Sequence, residues 1–309
     1  MTQSEVKNLP ASVKARLANV GREQREDFQE LLSRFGRERL LYRLSVSEYQ
    51  ERFILKGALL FAYWTGAPQR PTRDMDLLGY GNPDIAVLEE VFRDLCAVEV
   101  QPDGLVFQPD SVKGERIKDE EKYAGVRLYM TALIEKTRVP LQIDVGFGDR
   151  VIPEPEEINF PTLLDFPAPH LRSYTRESMV AEKFEAMVKL GMLNTRMKDF
   201  FDVWTVSREF AFDGPTLSRA VKTTFETRGT AVPNNPPLAL SPEFYEDREK
   251  NAQWKAFLNK AKLNAEGKSL AEIAKALRAF LVPVSEAVSR DDTLKRNWEP
   301  GGPWVVLAQ

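Results

Sequence analysis

Cysteine and histidine are almost missing from this chain: Cys96 and His170 are the single representatives of their types in 309 residues. One cysteine excludes an intrachain disulfide and any zinc cluster of the multi-cysteine kind. One histidine leaves a single candidate for a Ser-His-Asp or Cys-His arrangement, and its setting between Pro169 and Leu171 reads as a solvated loop. No apolar run approaches the ~18–20 residues of a membrane span, and residues 1–10 lack the apolar centre of a signal peptide. A cytoplasmic protein with no membrane partner is the expectation. An excess of positive charge is missing too. A net charge of −3 excludes coating nucleic acid through the overall field, so such a partner needs a local basic patch. What remains, 43% hydrophobic and 29% charged residues, is ordinary for a folded chain long enough for one large or two modest domains.

Against that background one stretch stands out. An apolar run from Phe53 ends at Lys56-Gly57-Ala58, an amphipathic segment follows from Leu59 to Trp64, and a Pro-, Thr- and Arg-rich loop leads to Asp74-Met75-Asp76. Side chains two apart on a strand share a face, with Cα atoms roughly 6.6 Å apart. Asp74 and Asp76 can therefore converge on one or two divalent ions while Met75 and Leu77 enter a core. Mg²⁺ favours carboxylate oxygens combined with substrate phosphates, and a two-metal site clamps the entering and leaving oxygens of an in-line displacement. By itself an Asp-x-Asp pair is more often a polar strand end. The preceding Gly57-Ala58 adds weight, because a small residue before a helix lets backbone N–H groups approach a phosphate. This order of parts resembles the DNA polymerase β-like nucleotidyltransferases.

The flanking segments supply the scaffold. Val13, Leu17 and Val20, then Phe28, Leu31, Leu32 and Phe35, predict helices within 11–45 with a break near Gly21. Arg39 and Arg43 are expected on a solvated helix face, with a phosphate-facing role as the alternative. A helix is predicted over 85–95 and strands over 104–108, 125–134 and 139–149, with 112–122 as an exposed, charged connection. In the last strand Leu141, Ile143 and Val145 alternate with Gln142 and Asp144. If that strand lies beside the Asp74–Asp76 strand, Asp144 becomes a third metal ligand and a candidate general base. Clustered carboxylates hold their charge cheaply only around a cation. Asp149 is expected to cap a turn.

Prolines between 152 and 169 mark the boundary between domains at 1–165 and 166–309. Beyond it the chain reads as helical, with Ser178 as a cap. Lys183 falls about 40° from Met187 on the helical wheel, inside the stripe of Val180, Phe184, Met187 and Leu190. A lysine aimed at a buried face needs an anion or must extend its ammonium to water. Either its stem lies along the core or it grips a nucleotide triphosphate. In the next helix Asp199 lies near Val203 and Asp202 about 100° away, which predicts an inward Asp199 and a more exposed Asp202. Asp199 is a candidate functional carboxylate holding Lys183 or Arg196, and a structural ion pair would read identically. Residues 229–243 suggest an extended linker, helices follow near 245–260 and 269–289, and 297–309 is unassigned. Arg208, Arg219, Lys222 and Arg228 are weak pointers to RNA and read as solvated helix faces.

Taken together, Arg73-Asp-Met-Asp76, Phe53 to Ala58, Ile143 to Asp149, Glu182-Lys183, Arg196 to Asp202, and the segments at 38–45, 242–247 and 254–257 resemble the AbiEii/AbiGii family of nucleotidyltransferase toxins from toxin–antitoxin and phage-defence modules. The resemblance implies an α/β (α+β) polymerase β-like core with a mixed sheet and a largely helical C-terminal half that completes the active site. It implies an NTP donor, Mg²⁺ or Mn²⁺, an acceptor such as the tRNA 3′ end, and an antitoxin encoded nearby that need not bind directly. Asp74 and Asp76 match its metal pair, and Lys183 and Asp199 match its lysine and later catalytic aspartate. Lys56, Gly57, Ala58, Lys183 and Arg196 are the nucleotide-binding candidates. Ala58 departs from the family's frequent Gly or Ser and has no hydroxyl to offer a phosphate. Transfer to a small molecule or a protein hydroxyl, and nucleotide binding without transfer, are the rival readings.

Overall fold

The computed structural model describes residues 8–117, 125–263 and 265–306. The chain divides into two units, residues 1–148 with 156–173, and residues 149–155 with 174–309. A boundary at 165/166 would cut the segment 156–173, which belongs to the first unit because its strands pair into that unit's sheet.

In the first unit α1 (Leu9–Gln24) starts at Asn8, whose side chain accepts from the Ala11 N–H, and stops at Arg25 in the left-handed region. The break therefore falls after Gln24, and Gly21 is buried within α1. Asp27 caps α2 (Phe28–Ser45) by accepting from the N–H groups of Gln29 and Glu30, a cap worth about 1 kcal/mol. Then come β1 (Phe53–Lys56), a 3₁₀ turn at Gly57–Leu59, α3 (Leu60–Thr65), β2 (Asp74–Gly79) and α4 (Ile85–Ala97). The remaining strands are β3 (Val106–Arg116), β4 (Val126–Ile134), β5 (Thr137–Phe147), β6 (Glu156–Asn159) and β7 (His170–Ser173). Among the described residues they form a seven-stranded mixed sheet, order β3-β4-β5-β2-β1-β7-β6. β2 runs parallel to β5 and β1 to β7, and the other pairs are antiparallel. Met75, Leu77, Leu128, Met130, Leu141, Ile143 and Val145 are all buried. Each such side chain contributes about 1.5–3 kcal/mol of burial, and this apolar set dictates which face of each strand is left for polar groups.

Two expectations for this unit are corrected. Residues 112–116 are not an exposed connection but the second half of β3, paired with β4 after a bulge between Gln108 and Lys113. Its charges are those of an edge strand, which uses them against unwanted pairing. Residues 118–122 of that expectation lie outside the described residues. Arg39 and Arg43 are not solvated but 1% and 5% exposed. Arg43 forks onto Asp103 at 2.7 and 3.3 Å. Arg39 lies against the rings of Tyr42 and Phe166, pairs with Glu38 at 3.2 Å and donates to the Pro167 carbonyl at 2.6 Å. His170 opens β7 instead of sitting in a loop, and it is exposed as expected, beside Glu157 and Asn159.

The second unit is helical: α5 (Arg176–Leu190), α6 (Met197–Glu209), α7 (Gly214–Arg228), α8 (Pro242–Tyr245), α9 (Arg248–Ala261) and α10 (Leu270–Ser289). Its three-stranded sheet joins β8 (Phe212–Asp213), β9 (Arg296–Trp298) and β10 (Trp304–Val306) in the order β10-β9-β8. Thr175, not Ser178, caps α5. The Ser178 hydroxyl instead accepts from the Ile152 N–H and donates to the Ile152 carbonyl, fastening 149–155 to the helices. Rings of Phe184 and Phe225 meet at 5.4 Å, as do those of Phe200 and Phe244. Residues 297–306, unassigned from sequence, form a hairpin whose Trp298 and Trp304 indoles donate to the Ser207 and Phe280 carbonyls. The 229–243 segment is extended in part, but Ala239 and Leu240 are buried. Residues 307–309 lie outside the described residues.

Candidate functional site

In the first unit the register of four strand pairs writes a row of charges across one sheet face. Lys56 on β1 stands opposite Asp76 on β2, Asp76 beside Asp144 on β5, Asp144 opposite Arg127 on β4, and Arg127 opposite Glu115 on β3. The adjacent row on the same face reads Asp74, Gln142, Tyr129 and Lys113. Neighbouring strands are about 4.8 Å apart, so the three aspartates share one small patch. Each faces away from the core because its neighbours Met75, Leu77, Ile143 and Val145 face into it.

Gly57 sets the shape of this patch. Its φ is +77°, and a Cβ there would lie 2.0 Å from Asp76 Oδ2. Only a residue without a Cβ lets the backbone pass so close to the carboxylate. No side chain caps the 57–59 turn that follows, and Ala58 is buried within it. The Lys56 ammonium reaches over β2 toward β5, 3.8 Å from where a Cβ on Gly146 would stand.

Two arginines unannounced by the sequence hold the patch in place. Arg37 of α2 donates to the Arg73 carbonyl at 3.3 Å and to Ser33 Oγ at 2.8 Å, pinning the residue before Asp74. Burial lowers its pKa to about 10, against the pull of neighbouring carboxylates. Arg127 donates to Asp144 through Nε at 2.8 Å and Nη2 at 2.7 Å, and Gln142 Nε2 approaches Asp144 Oδ1 at 3.3 Å. The hydrogen bond to Asp144 is the main reason the Arg127 pKa is raised further. A helix charge at 37 and a strand charge at 127 carry no signal of their own, since the Arg73 carbonyl and Asp144 that they meet are brought there by helix packing and strand register.

Both Asp144 oxygens are therefore engaged. Among the described residues no group of three or more His, Cys, Asp or Glu side chains is arranged to hold a metal ion. Asp74 and Asp76 still fit one: they share a face, neither is fully buried, and Mg²⁺ is ordinarily held by one or two carboxylates together with substrate phosphates. Hard oxygen donors also suit Mn²⁺.

The second unit holds the other predicted residues. Lys183 Nζ on α5 donates to Asp199 Oδ1 at 2.6 Å and pairs with Asp202 Oδ2 at 2.9 Å, both on α6. Arg196 Nε donates to Asp199 Oδ2 at 2.6 Å. Asp202 is not more exposed than Asp199, since both are fully buried. Burial alone would push the Asp199 carboxyl up, but Lys183 and Arg196 outweigh it and hold its pKa below the ordinary value. The anions that meet the inward lysine are thus two aspartates one helical turn apart. A second cluster nearby in sequence went unread. Arg228 forks onto Asp149 at 3.0 Å and also pairs with Glu182 and Glu185 at 3.3 and 3.1 Å. Asp149 is thus an ion-pair partner, not a turn cap, and Arg228 is not a solvated cation. Lys222 pairs with Asp291 and Arg208 with Glu266.

Among the described residues no helix is long and apolar enough to cross a membrane. Comparison with curated protein sequences gives no match. The solved structures to which this chain is similar include two from one organism. One is JHP933 from Helicobacter pylori, 15% identical over 85% of this chain and 93% of that one, with a TM-score of 0.47. The other is a putative nucleotidyltransferase from H. pylori, 15% identical over 85% and 96%, with a TM-score of 0.47. The profile of the nucleotidyl transferase AbiEii toxins, type IV toxin–antitoxin systems, matches residues 39–281. That span includes Lys56 through Asp144 and the Lys183–Asp202 cluster, and on it the chain belongs to the AbiEii family of nucleotidyl transferase toxins.

Proposed function

We propose that this protein is a divalent-cation-dependent nucleotidyltransferase that moves a nucleotide from an NTP to the 3′ end of tRNA, acting in the cytoplasm as the toxin of a toxin–antitoxin or phage-defence module. The antitoxin is a neighbour in function and need not touch the chain. The observation that carries the reading is the row Lys56, Asp76, Asp144, Arg127 with Asp74 beside it and Gly57 pressed against Asp76. It sets carboxylates between two cations on one face, next to a turn that no side chain caps.

Asp74 and Asp76 would hold Mg²⁺, which when bound neutralises phosphate oxygens and lowers the pKa of a hydroxyl. Lys56, Gly57 and Ala58 receive the triphosphate, with Gly57 and Ala58 offering backbone donors. The acceptor oxygen forms a bond to the α-phosphorus, the α–β anhydride bond breaks, and pyrophosphate leaves. Asp144, on the opposite side of β2 from Gly57, is the carboxylate for the acceptor's proton. We assign Lys183, Arg196 and Asp199, the ion-paired cluster of the second unit, to the same activity. Such catalysis is chiefly positioning and charge stabilisation.

The test is incubation of the full chain with each labelled NTP, Mg²⁺ or Mn²⁺, and separate pools of tRNA, proteins and small acceptors. Label should enter tRNA with release of pyrophosphate, and Asp76→Ala should abolish both while its circular dichroism stays native. Full activity of Asp76→Ala rejects the site. Label confined to proteins or small molecules rejects the acceptor, and NTP binding without turnover rejects the transfer.

A further inference from the structure

The transfer reading divides the polar sheet face into two sides, and the inference below rests on that reading. Entering and leaving oxygens of phosphoryl transfer are roughly in line, on opposite sides of the phosphorus. With the triphosphate over Lys56, Gly57 and Ala58, the leaving group lies on the β1 side of Asp74 and Asp76. The acceptor must then come from the β5 and β4 side. The side chains presented there are Gln142, Asp144, Arg127 and Tyr129.

Tyr129 is the unusual member. It is 41% exposed, the large aromatic ring on an otherwise polar patch, two strands or about 10 Å from Asp74. Its hydroxyl donates to Glu115 Oε1 at 3.0 Å, which anchors the ring at its tip. Arg127, two residues earlier on the same face, has its guanidinium plane fixed by the Asp144 fork. A ring and a guanidinium already held in place lose little freedom when a ligand packs on them. An exposed tyrosine next to an immobilised arginine is a stacking surface for a nucleobase, whose flanking phosphate is met by the cation.

We infer that Tyr129 and Arg127 form the acceptor platform: the terminal base of a nucleic-acid acceptor stacks on Tyr129, and Arg127 steadies the adjoining phosphate so that the 3′ hydroxyl faces Asp76 and Asp144. Tyr129 is then a positioning residue that discriminates between acceptors and leaves the NTP alone. Asp144, besides any part in proton transfer, orients Arg127.

The experiment measures fluorescence anisotropy of a 5′-fluorescein single-stranded RNA dodecamer with a free 3′ hydroxyl, titrated with the full chain in the absence of NTP. Tyr129→Ala should weaken binding roughly five- to 150-fold, the range set by one base stacked on one aromatic ring. Tyr129→Phe and Tyr129→Trp, which keep a stacking ring and lose the hydroxyl anchor on Glu115, should bind at most a few-fold more weakly than the wild type and clearly more tightly than Tyr129→Ala. In turnover Tyr129→Ala should raise KM for RNA and leave KM for NTP unchanged. Wild-type affinity in Tyr129→Ala, or no RNA binding by the wild type, overturns the platform. The exposed position keeps the variant folded, and retention by Tyr129→Phe guards against a general loss of the sheet. If RNA binding depends on Tyr129 but no NTP is ever consumed, the transfer reading fails and the platform stands. If nucleotide goes to a protein or small acceptor and RNA is not bound, the platform fails and the transfer reading stands.

Discussion

Replacing Gly57 by alanine tests the geometry of the acidic patch more sharply than removing a carboxylate does. The added Cβ would stand 2.0 Å from Asp76 Oδ2, 2.7 Å from its Cγ and 2.8 Å from its Cβ, at a φ of +77°. The backbone term is about 1–2 kcal/mol for an L-residue in the left-handed region, reduced by roughly 0.4–1 kcal/mol because alanine stiffens the unfolded chain. Forcing a methyl group into an occupied space adds about 1–3 kcal/mol. The sum is on the order of 1–5 kcal/mol, or a fall in Tm of about 2–20 °C at roughly 2–4 °C per kcal/mol. Gly66 supplies the control: its φ is also +77°, yet nothing lies within 4 Å of its would-be Cβ. Gly66→Ala should therefore cost about 1 kcal/mol. A displaced Asp76 should also lower NTP turnover on the order of a hundredfold, the usual cost of ~1 Å of misplacement. In Gly57→Ala/Asp76→Ala the contacts with Oδ2 and Cγ vanish, so the double variant should be less destabilised than the sum of the singles by about 1 kcal/mol or more. Thermal unfolding followed by circular dichroism reads the wild type and all four variants, Asp76→Ala among them. Equal losses for Gly57→Ala and Gly66→Ala would refute the close approach to Asp76.

Three further outcomes follow from buried charges and the one thiol. Arg228→Met leaves Asp149, Glu182 and Glu185 without their shared cation and should cost about 3–5 kcal/mol in urea unfolding. Asp199 has a lowered folded pKa, so its stabilisation is fully present above the ordinary aspartate value and is lost as pH falls through the folded one. Asp199→Asn should accordingly be about 3 kcal/mol less stable than wild type at pH 7, and urea titrations should converge as pH drops below about 4. Burial pushes the Cys96 thiol up to about 11. At pH 8 about one thiol in a thousand is ionised, so iodoacetamide should alkylate native Cys96 roughly a hundredfold more slowly than the urea-unfolded chain, judged by mass spectrometry.

Where a signal lies along the chain, it was readable. The alternation of Met75, Leu77, Ile143 and Val145 with Asp74, Asp76, Gln142 and Asp144 announced two strands, and the structure pairs them in parallel with Asp76 beside Asp144. The helix expected near 269–289 is α10, and Leu270, Ile273, Ala274, Leu277 and Phe280 form its core face. Charged residues were the chief source of error. Arg39, Arg43 and Arg228 each look like solvated helix residues, since an arginine on a helix surface is the common case. They are buried, or in Arg228 largely covered, because carboxylates, carbonyls or rings far away in sequence come to meet them. Thr175 and Ser178 show the same on a smaller scale: Thr175 caps α5, and the Ser178 hydroxyl is taken up by the backbone of Ile152, 26 residues away.

Local chemistry alone therefore specified most of the helices, the strands β2, β4 and β5 with their apolar faces, and the two aspartates on β2. The partners of those groups were decided by strand register and helix packing. Lys56 and Arg127 flank Asp76 and Asp144 because β1, β2 and the β4–β5 hairpin align at one level of the sheet. Periodicity tells which way a side chain points. What it points at depends on contacts between remote residues, whose energy appears only when the chain has closed on itself.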